Sequence, residues 1–230
     1  MAETGTIIGA VSMVLGRVGD LAGRRVVVTA GGTQEPIDPV RVISNRASGK
    51  MGYAIAVAAR DRGACVTLVA APTSLPDPVG VEMVHVQTAA QMKKAVDKAV
   101  SGCDALVMAA AVADYRPKTA ARAKIKKDGE ALTLELVTTA DILGTVSGAF
   151  VRVGFAAESE NLVANARAKI AKKGLDLIVA NDITDPESGF GAETNKVTMI
   201  DRLGKVEEFP LMPKRELADR ILDRVVGLLK

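Results

Sequence analysis

Apolar residues along this chain gather in short unbroken runs, separated by stretches in which they recur at helical intervals. The first run, Val26-Val27-Val28-Thr29, is β-branched and ends in Ala30-Gly31-Gly32-Thr33, which predicts a buried strand and a glycine turn. Residues 34–48, with Pro36 and Pro39, read as a long loop. Over residues 49–62 Met51, Ala54, Ile55, Ala58 and Ala59 keep helical spacing, and Gly63 ends the helix. A strand at 65–70 and a loop with Pro72, Pro76 and Pro78 lead to a strand at 83–86 and a helix at 89–100. Residues 104–111 form a fully apolar strand whose exit carries Asp114, and residues 132–137 alternate as an exposed strand does. Strands at 151–155 and 175–180 enclose a helix at 162–173. Residues 197–200 and 206–209 flank Leu203-Gly204 as a hairpin, and Leu217, Ile221, Val225 and Leu228 make one stripe of a final helix.

This alternation predicts an α/β fold: a doubly wound, mostly parallel Rossmann-like sheet with a C-terminal hairpin and helix. Ligands of such sheets bind at the carboxyl ends of the strands. Gly31-Gly32, Asp114, residues 155–158 and Asn181-Asp182 all follow strand ends and would share one crevice. Residues 1–23 hold a mildly apolar stretch at 7–15 and lack the positively charged start of a signal peptide. They read as a linker helix on the surface of one domain spanning 24–230.

At 230 residues, 48% apolar and without Trp, the chain can build the aliphatic core that parallel sheets prefer. A net charge of +3 is too balanced to argue for a nucleic-acid partner. No apolar run approaches the roughly 18 residues of a membrane span, so no membrane partner is expected. Cys65 and Cys103 fit neither a disulfide framework nor a zinc site, and a reduced, cytoplasmic setting is expected.

The densest chemistry lies at residues 44–52. Ser48-Gly49-Lys50 opens a helix, where free amides and the helix dipole favour an anion. The stretch is not a Walker A loop, because Ser44 and Met51 stand at the positions that pattern gives to Gly and to Ser or Thr. A glycine turn with a solvated lysine is the bland alternative. Asn45 either turns the backbone, as loop asparagines ordinarily do, or offers its carboxamide to a ligand carbonyl. The run Lys124-Ile125-Lys126-Lys127 is ordinarily a solvated face. With Asp114 and Arg116 upstream it also reads as a mobile triphosphate clamp of point charges. His85, the one histidine, alternates with Val84 and Val86 in a strand and reads as structural, so no Ser-His-Asp or Cys-His set can form. Any enzyme made from this chain works without a protein nucleophile or a strong protein base.

Two rival classes remain open on the residues alone. A nicotinamide-dependent oxidoreductase shares the fold but carries G-x-G-x-x-G and an acid after its second strand; here Gly49 is the next glycine after Gly32, and Ala70-Ala71-Pro72 ends that strand. A non-catalytic nucleotide-binding module would make the polar strand exits accidental.

The run Val28-Thr29-Ala30-Gly31-Gly32-Thr33-Gln34-Glu35-Pro36-Ile37-Asp38-Pro39-Val40-Arg41, continued by Ile43-Ser44-Asn45 and Ser48-Gly49-Lys50-Met51-Gly52, resembles the bacterial phosphopantothenoylcysteine synthetase family. So do Ala110-Ala111-Val112-Ala113-Asp114-Tyr115-Arg116, Lys124-Ile125-Lys126-Lys127, Val153-Gly154-Phe155-Ala156-Ala157-Glu158 and Ala180-Asn181-Asp182. The resemblance spans residues 24 to about 226 and departs at Gly32, where the family often has Pro. It implies a ligase that joins 4′-phosphopantothenate to L-cysteine using CTP and Mg2+, through an acyl-cytidylate, in coenzyme A biosynthesis. Residue chemistry alone leaves ATP and CTP open.

By motif position the resemblance implies catalytic roles for Asn45, holding the acyl carbonyl, and for Lys124, on the triphosphate. Ala110, Asp114, Ala140, Asp141, Ile142, Leu143, Phe155, Lys169 and Lys173 would bind CTP with Lys124, and Asp114 would share the Mg2+. Arg41, Asn45, Ser48, Gly49 and Lys50 would bind substrate. The family also implies a homodimer, formed here through the strand near 132–137. In most bacteria a flavin-dependent decarboxylase domain precedes the synthetase.

Overall fold

A computed structural model describes residues 4–127, 129, 131–158, 161–182 and 191–229, without the side chains of residues 158 and 182. The main sheet is built from β1 (Arg25–Ala30), β4 (Cys65–Ala70), β5 (Glu82–His85), β6 (Ala105–Met108), β9 (Val151–Glu158), β10 (Leu177–Asp182), β11 (Thr194–Asp201) and β12 (Val206–Pro213). Its order is β12-β11-β10-β9-β6-β1-β4-β5. The pairs from β5 to β10 are parallel, while β11 and β12 add an antiparallel edge. Taken in chain order, the six parallel strands run 3-2-1-4-5-6, the doubly wound arrangement whose switch point lies between β1 and β6.

The alternation of side chains along β1 sorts the core into two layers. Val26 and Val28 point to one face, where Ile55 of α2 (Lys50–Asp61) and Leu217, Ile221 and Leu222 of α6 (Lys214–Leu228) cover them. Val27 points to the other, with Met92 and Val96 of α3 (Ala89–Ala99), Ile142 and Leu143 of α4 (Ile142–Thr145) and Ala166 of α5 (Leu162–Lys173). Gly52 lets α2 approach β1 closely: a Cβ there would lie 2.6 Å from the Thr29 oxygen. The first helix, α1 (Thr4–Leu15), lies against α2 with no buried residue and leaves Ile7, Ile8, Val11, Val14 and Leu15 exposed.

Three departures from the sequence reading concern short elements. Within the long loop at 34–48, β2 (Gln34–Pro36) and β3 (Val42–Ser44) pair as a small hairpin. The expected strand at 132–137 is confined to β8 (Leu136–Thr138), which pairs with β7 (Tyr115–Pro117) in a second small ribbon. The expected strand at 104–111 ends at Met108, and within residues 109–111 Ala111 makes an isolated bridge to Gly32.

Candidate functional site

The carboxyl ends of β1, β6, β9 and β10 open into one cleft of about 790 Å³ at the switch point, a size suited to a small-molecule ligand. Its walls are laced together by the strand exits. Ala111 donates to the Gly31 oxygen at 2.9 Å and Thr33 donates to the Ala111 oxygen at 3.2 Å. Ala113 donates to the Thr33 hydroxyl at 2.9 Å.

At one pole Gly49 stands just before α2, and its φ of 80° is a left-handed conformation that only glycine adopts cheaply. Gly49 brings no side-chain cap of its own, and the first amides of a helix suit an anion. Lys50 follows, with its ammonium on Glu193 Oε1 at 2.5 Å and on the Gly191 oxygen at 2.9 Å. Lys214, at the start of α6, is 6% exposed and lines the same end of the cleft, donating to the Ala192 and Thr194 oxygens. Burial lowers its pKa, and the charge of Lys50 lowers it further. Lys50 in turn holds the Glu193 carboxyl below the usual range.

The opposite pole is made by α4 and α5. Asp141 caps α4 through the Gly144 amide at 3.1 Å and pairs with Lys173 at 2.9 Å. Desolvation pushes its pKa up, but Lys173, the Gly144 amide and Lys172 outweigh that and leave it lowered. Phe155, Ala140, Ile142, Leu143, Lys169 and Lys172 complete this end. Five lysines, Lys50, Lys169, Lys172, Lys173 and Lys214, face the cleft against Asp114 and Asp141, so among the described residues it is cationic at both ends.

Between the poles sits Asn45, whose Nδ2 donates to the Val112 and Ala111 oxygens at 3.2 and 3.4 Å. Both bonds are long, and the carboxamide is exposed at the cleft wall. Asp114 is also exposed there, and its carboxylate bonds to no described residue. A magnesium ion bound mainly through phosphate oxygens and water suits such a lone carboxylate. No cluster of three potential ligands exists among the described residues.

The cleft thus gathers Asn45, Ser48, Gly49, Lys50, Ala110, Asp114, Ala140, Asp141, Ile142, Leu143, Phe155, Lys169 and Lys173. Arg41 and Lys124 do not line it. Arg41 clasps Asp38 Oδ2 at 2.5 Å and the Ile125 oxygen at 2.8 Å, while Ile125 donates to Asp38 at 3.1 Å. The Arg41 side chain, with the Val40 and Ile125 amides, holds the Asp38 carboxyl far below the usual range against its burial. This knot ties the lysine run to the β2–β3 hairpin, and Lys124 stays exposed beside it. His85 pairs with Asp77 at 3.1 Å outside the cleft. The side chains of the expected residues Glu158 and Asp182 lie outside the described residues.

Sequence reading missed Lys172, Lys214 and Asn195. One signal was legible for Lys214: a cation in the first turn of a helix opposes the dipole and needs a reason to be there.

The family model of the DNA/pantothenate metabolism flavoprotein C-terminal domain matches residues 21–229. The coenzyme A biosynthesis bifunctional protein CoaBC of Bacillus subtilis is 46% identical over 214 residues, covering 91% of this chain and 53% of the relative. Its namesake in Mycobacterium tuberculosis is 46% identical over 225 residues, with 91% and 54% covered. The chain therefore spans about half the length of the curated relatives it matches. A crystal structure of the C-terminal domain of CoaBC superposes with a TM-score of 0.79 at 40% identity, covering 92% of this chain and 98% of that one.

Proposed function

Because the chain belongs to the family of the DNA/pantothenate metabolism flavoprotein C-terminal domain, we propose that it is a CTP-dependent phosphopantothenate–cysteine ligase of coenzyme A biosynthesis. The observation that carries this reading is a single cleft with a cationic pole at each end, and with no histidine or cysteine among its described lining residues. Such a site aligns two anionic substrates and neutralises charge, with no histidine among the described lining residues to activate a nucleophile. The proposed reaction asks nothing more. The 4′-phosphopantothenate carboxylate, already ionised near neutral pH, attacks the α-phosphorus of CTP, the bond to the leaving phosphate breaks, and pyrophosphate departs. The amine of L-cysteine then attacks the acyl carbon of the acyl-cytidylate, CMP leaves, and the amine's proton passes to solvent. Alignment of this kind contributes up to roughly 7–11 kcal/mol in well-oriented cases.

In this assignment the substrate's phosphate rests at Ser48, Gly49 and Lys50. The nucleotide lies along Ala110, residues 140–143, Phe155, Lys169 and Lys173. Asn45 turns its Nδ2 from the Val112 and Ala111 oxygens to the acyl carbonyl, an exchange that the two long bonds make inexpensive. Lys124 reaches the triphosphate from the loop pinned at Ile125. Asp114 would hold magnesium, and the ion, when bound, would neutralise triphosphate charge.

Val40 and Val42 on the hairpin, with Tyr115, Leu132 and Leu136 on and beside the second ribbon, are exposed apolar side chains suited to a homodimer contact. A cytoplasmic setting fits this chemistry. A phosphopantothenoylcysteine decarboxylase, fused or separate, would consume the product. The test is the complete reaction: protein, CTP, magnesium, 4′-phosphopantothenate and L-cysteine should yield phosphopantothenoylcysteine, CMP and pyrophosphate in equal amounts. Product formation without nucleotide consumption would overturn the assignment.

A further inference from the structure

The phosphate pole of the cleft contains a carboxylate that opposes its purpose. Lys50, the first residue of α2, is engaged by Glu193, a residue 143 positions away whose side chain is 82% exposed and reaches back from the start of β11. Exposed side chains of that kind lose rotamer freedom when pinned, and an exposed ion pair contributes only about 0–1 kcal/mol. The Lys50–Glu193 pair is therefore a contact that another anion can replace. Lys214 differs in kind. Its ammonium is buried within the same wall and hydrogen-bonded to the Ala192 and Thr194 oxygens on either side of Glu193. The backbone carrying Glu193 is thus fixed while its carboxylate is free to swing.

Charge counting gives the swing a direction. Lys50 and Lys214 supply two positive charges, Glu193 one negative, and the N-terminal end of the α2 dipole adds partial positive charge. With Glu193 in place the trio keeps an excess of one positive charge. With Glu193 turned to solvent, two cations meet the two negative charges of a phosphate monoester near neutral pH. The lowered pKa of Lys214, due first to burial and then to Lys50, accords with two ammonium groups sharing too little anion.

We propose that Glu193 and the ligand's phosphate monoester compete for Lys50, and that the phosphate, once it has displaced the carboxylate, is held by Lys50 and Lys214 together. Lys214 is in this account a binding residue for the substrate's phosphate and Glu193 its internal competitor. The inference rests on the assignment of that pole to the phosphate of the proposed substrate, and it adds two residues which the family resemblance did not supply.

Glu193→Gln removes the competing charge at an exposed position and leaves the fold intact. It should bind inorganic phosphate about two- to fivefold more tightly by calorimetry, the span an exposed ion pair allows. It should lower KM for 4′-phosphopantothenate by a similar factor while leaving KM for dephosphorylated pantothenate unchanged. In a Lys50→Met background the same substitution should have no further effect on phosphate binding. Lys214→Met should weaken inorganic phosphate binding roughly tenfold or more, and Lys214→Arg, which keeps the charge, should recover part of it. Equal or weaker phosphate binding by Glu193→Gln, or an equal change of KM for the phosphorylated and dephosphorylated substrates, would overturn the proposal. The two readings fail separately: tighter phosphate binding in a protein without ligase activity would sink only the proposed reaction, whereas an active ligase with phosphate binding unmoved by Glu193→Gln would sink only this inference.

Discussion

Asn45 shows what one side chain contributes beyond its residue type. Its Nδ2 rests on two backbone oxygens at distances near the limit of a hydrogen bond, so the donor is held in place without being strongly committed. In Asn45→Asp the amide donor is lost, and the new carboxylate faces the Ala111 and Val112 oxygens. Turnover should fall roughly 10²–10³-fold, the usual cost of removing one donor from a developing oxyanion. Pyrophosphate release in a first cycle should persist, because the role proposed for Asn45 lies at the acyl carbon and not at the α-phosphorus. Rapid-quench measurement of pyrophosphate and acyl-cytidylate checks this, and equal loss of both steps would contradict the role. Asn45 was legible in the sequence as a polar residue in a glycine-rich loop. For Lys214 the sequence offered only a cation at a helix start, because periodicity places that residue without saying what the preceding strand carries it towards.

Elements of three residues were hidden from the sequence for a physical reason. A period of two cannot show itself over Gln34–Pro36 or Tyr115–Pro117, and prolines in both stretches argue for loops. What makes these ribbons form is tertiary. Glu35, 2% exposed, accepts the Ala89 amide at 2.7 Å where α3 begins, and Ser44 donates to the Thr33 oxygen at 2.9 Å. The longer elements, α2, α3, α5 and the strands of the parallel sheet, were legible because burial on one or both faces writes itself into many residues. At this scale Asp38 decides how firmly the lysine run is held. Asp38→Asn should release Ile125 and speed tryptic cleavage at Lys124, Lys126 or Lys127 roughly tenfold, the order expected for losing a hydrogen bond to a charged group. KM for CTP should rise as the clamp loosens. Unchanged cleavage would mean that the Asp38–Arg41–Ile125 knot does not govern the loop.

Over the whole molecule, the 3-2-1-4-5-6 order places the exits of β1 and β6 side by side and brings in β9 and β10 from the second half. The sequence made the crevice legible because its polar residues follow apolar strands. It could not show that the antiparallel β11 returns Thr194 and Asn195 to the same end, since that depends on register. Acid stability is a property of the same scale. Asp38, held low chiefly by Arg41, and Asp104, held low chiefly by the Arg25 amide and also by Arg24, have folded-state pKa values below their unfolded ones. The folded state then binds fewer protons, so their contribution is fully present above about pH 4 and is lost as pH falls below it. Denaturant midpoints should be level from neutral pH down to about 4 and decline below. Asp38→Asn should lower the neutral plateau and flatten the acid limb, and an unchanged limb would contradict this cause.

The proposed reaction activates a carboxylate with a nucleotide and needs no protein nucleophile. Protein, CTP, magnesium and 4′-phosphopantothenate, mixed without cysteine, test it most directly, with pyrophosphate followed in time and the bound product weighed by mass spectrometry. A burst approaching one pyrophosphate per active site, with acyl-cytidylate retained until cysteine is added, is the expected result. The absence of any pyrophosphate from the folded protein until cysteine is present would contradict it.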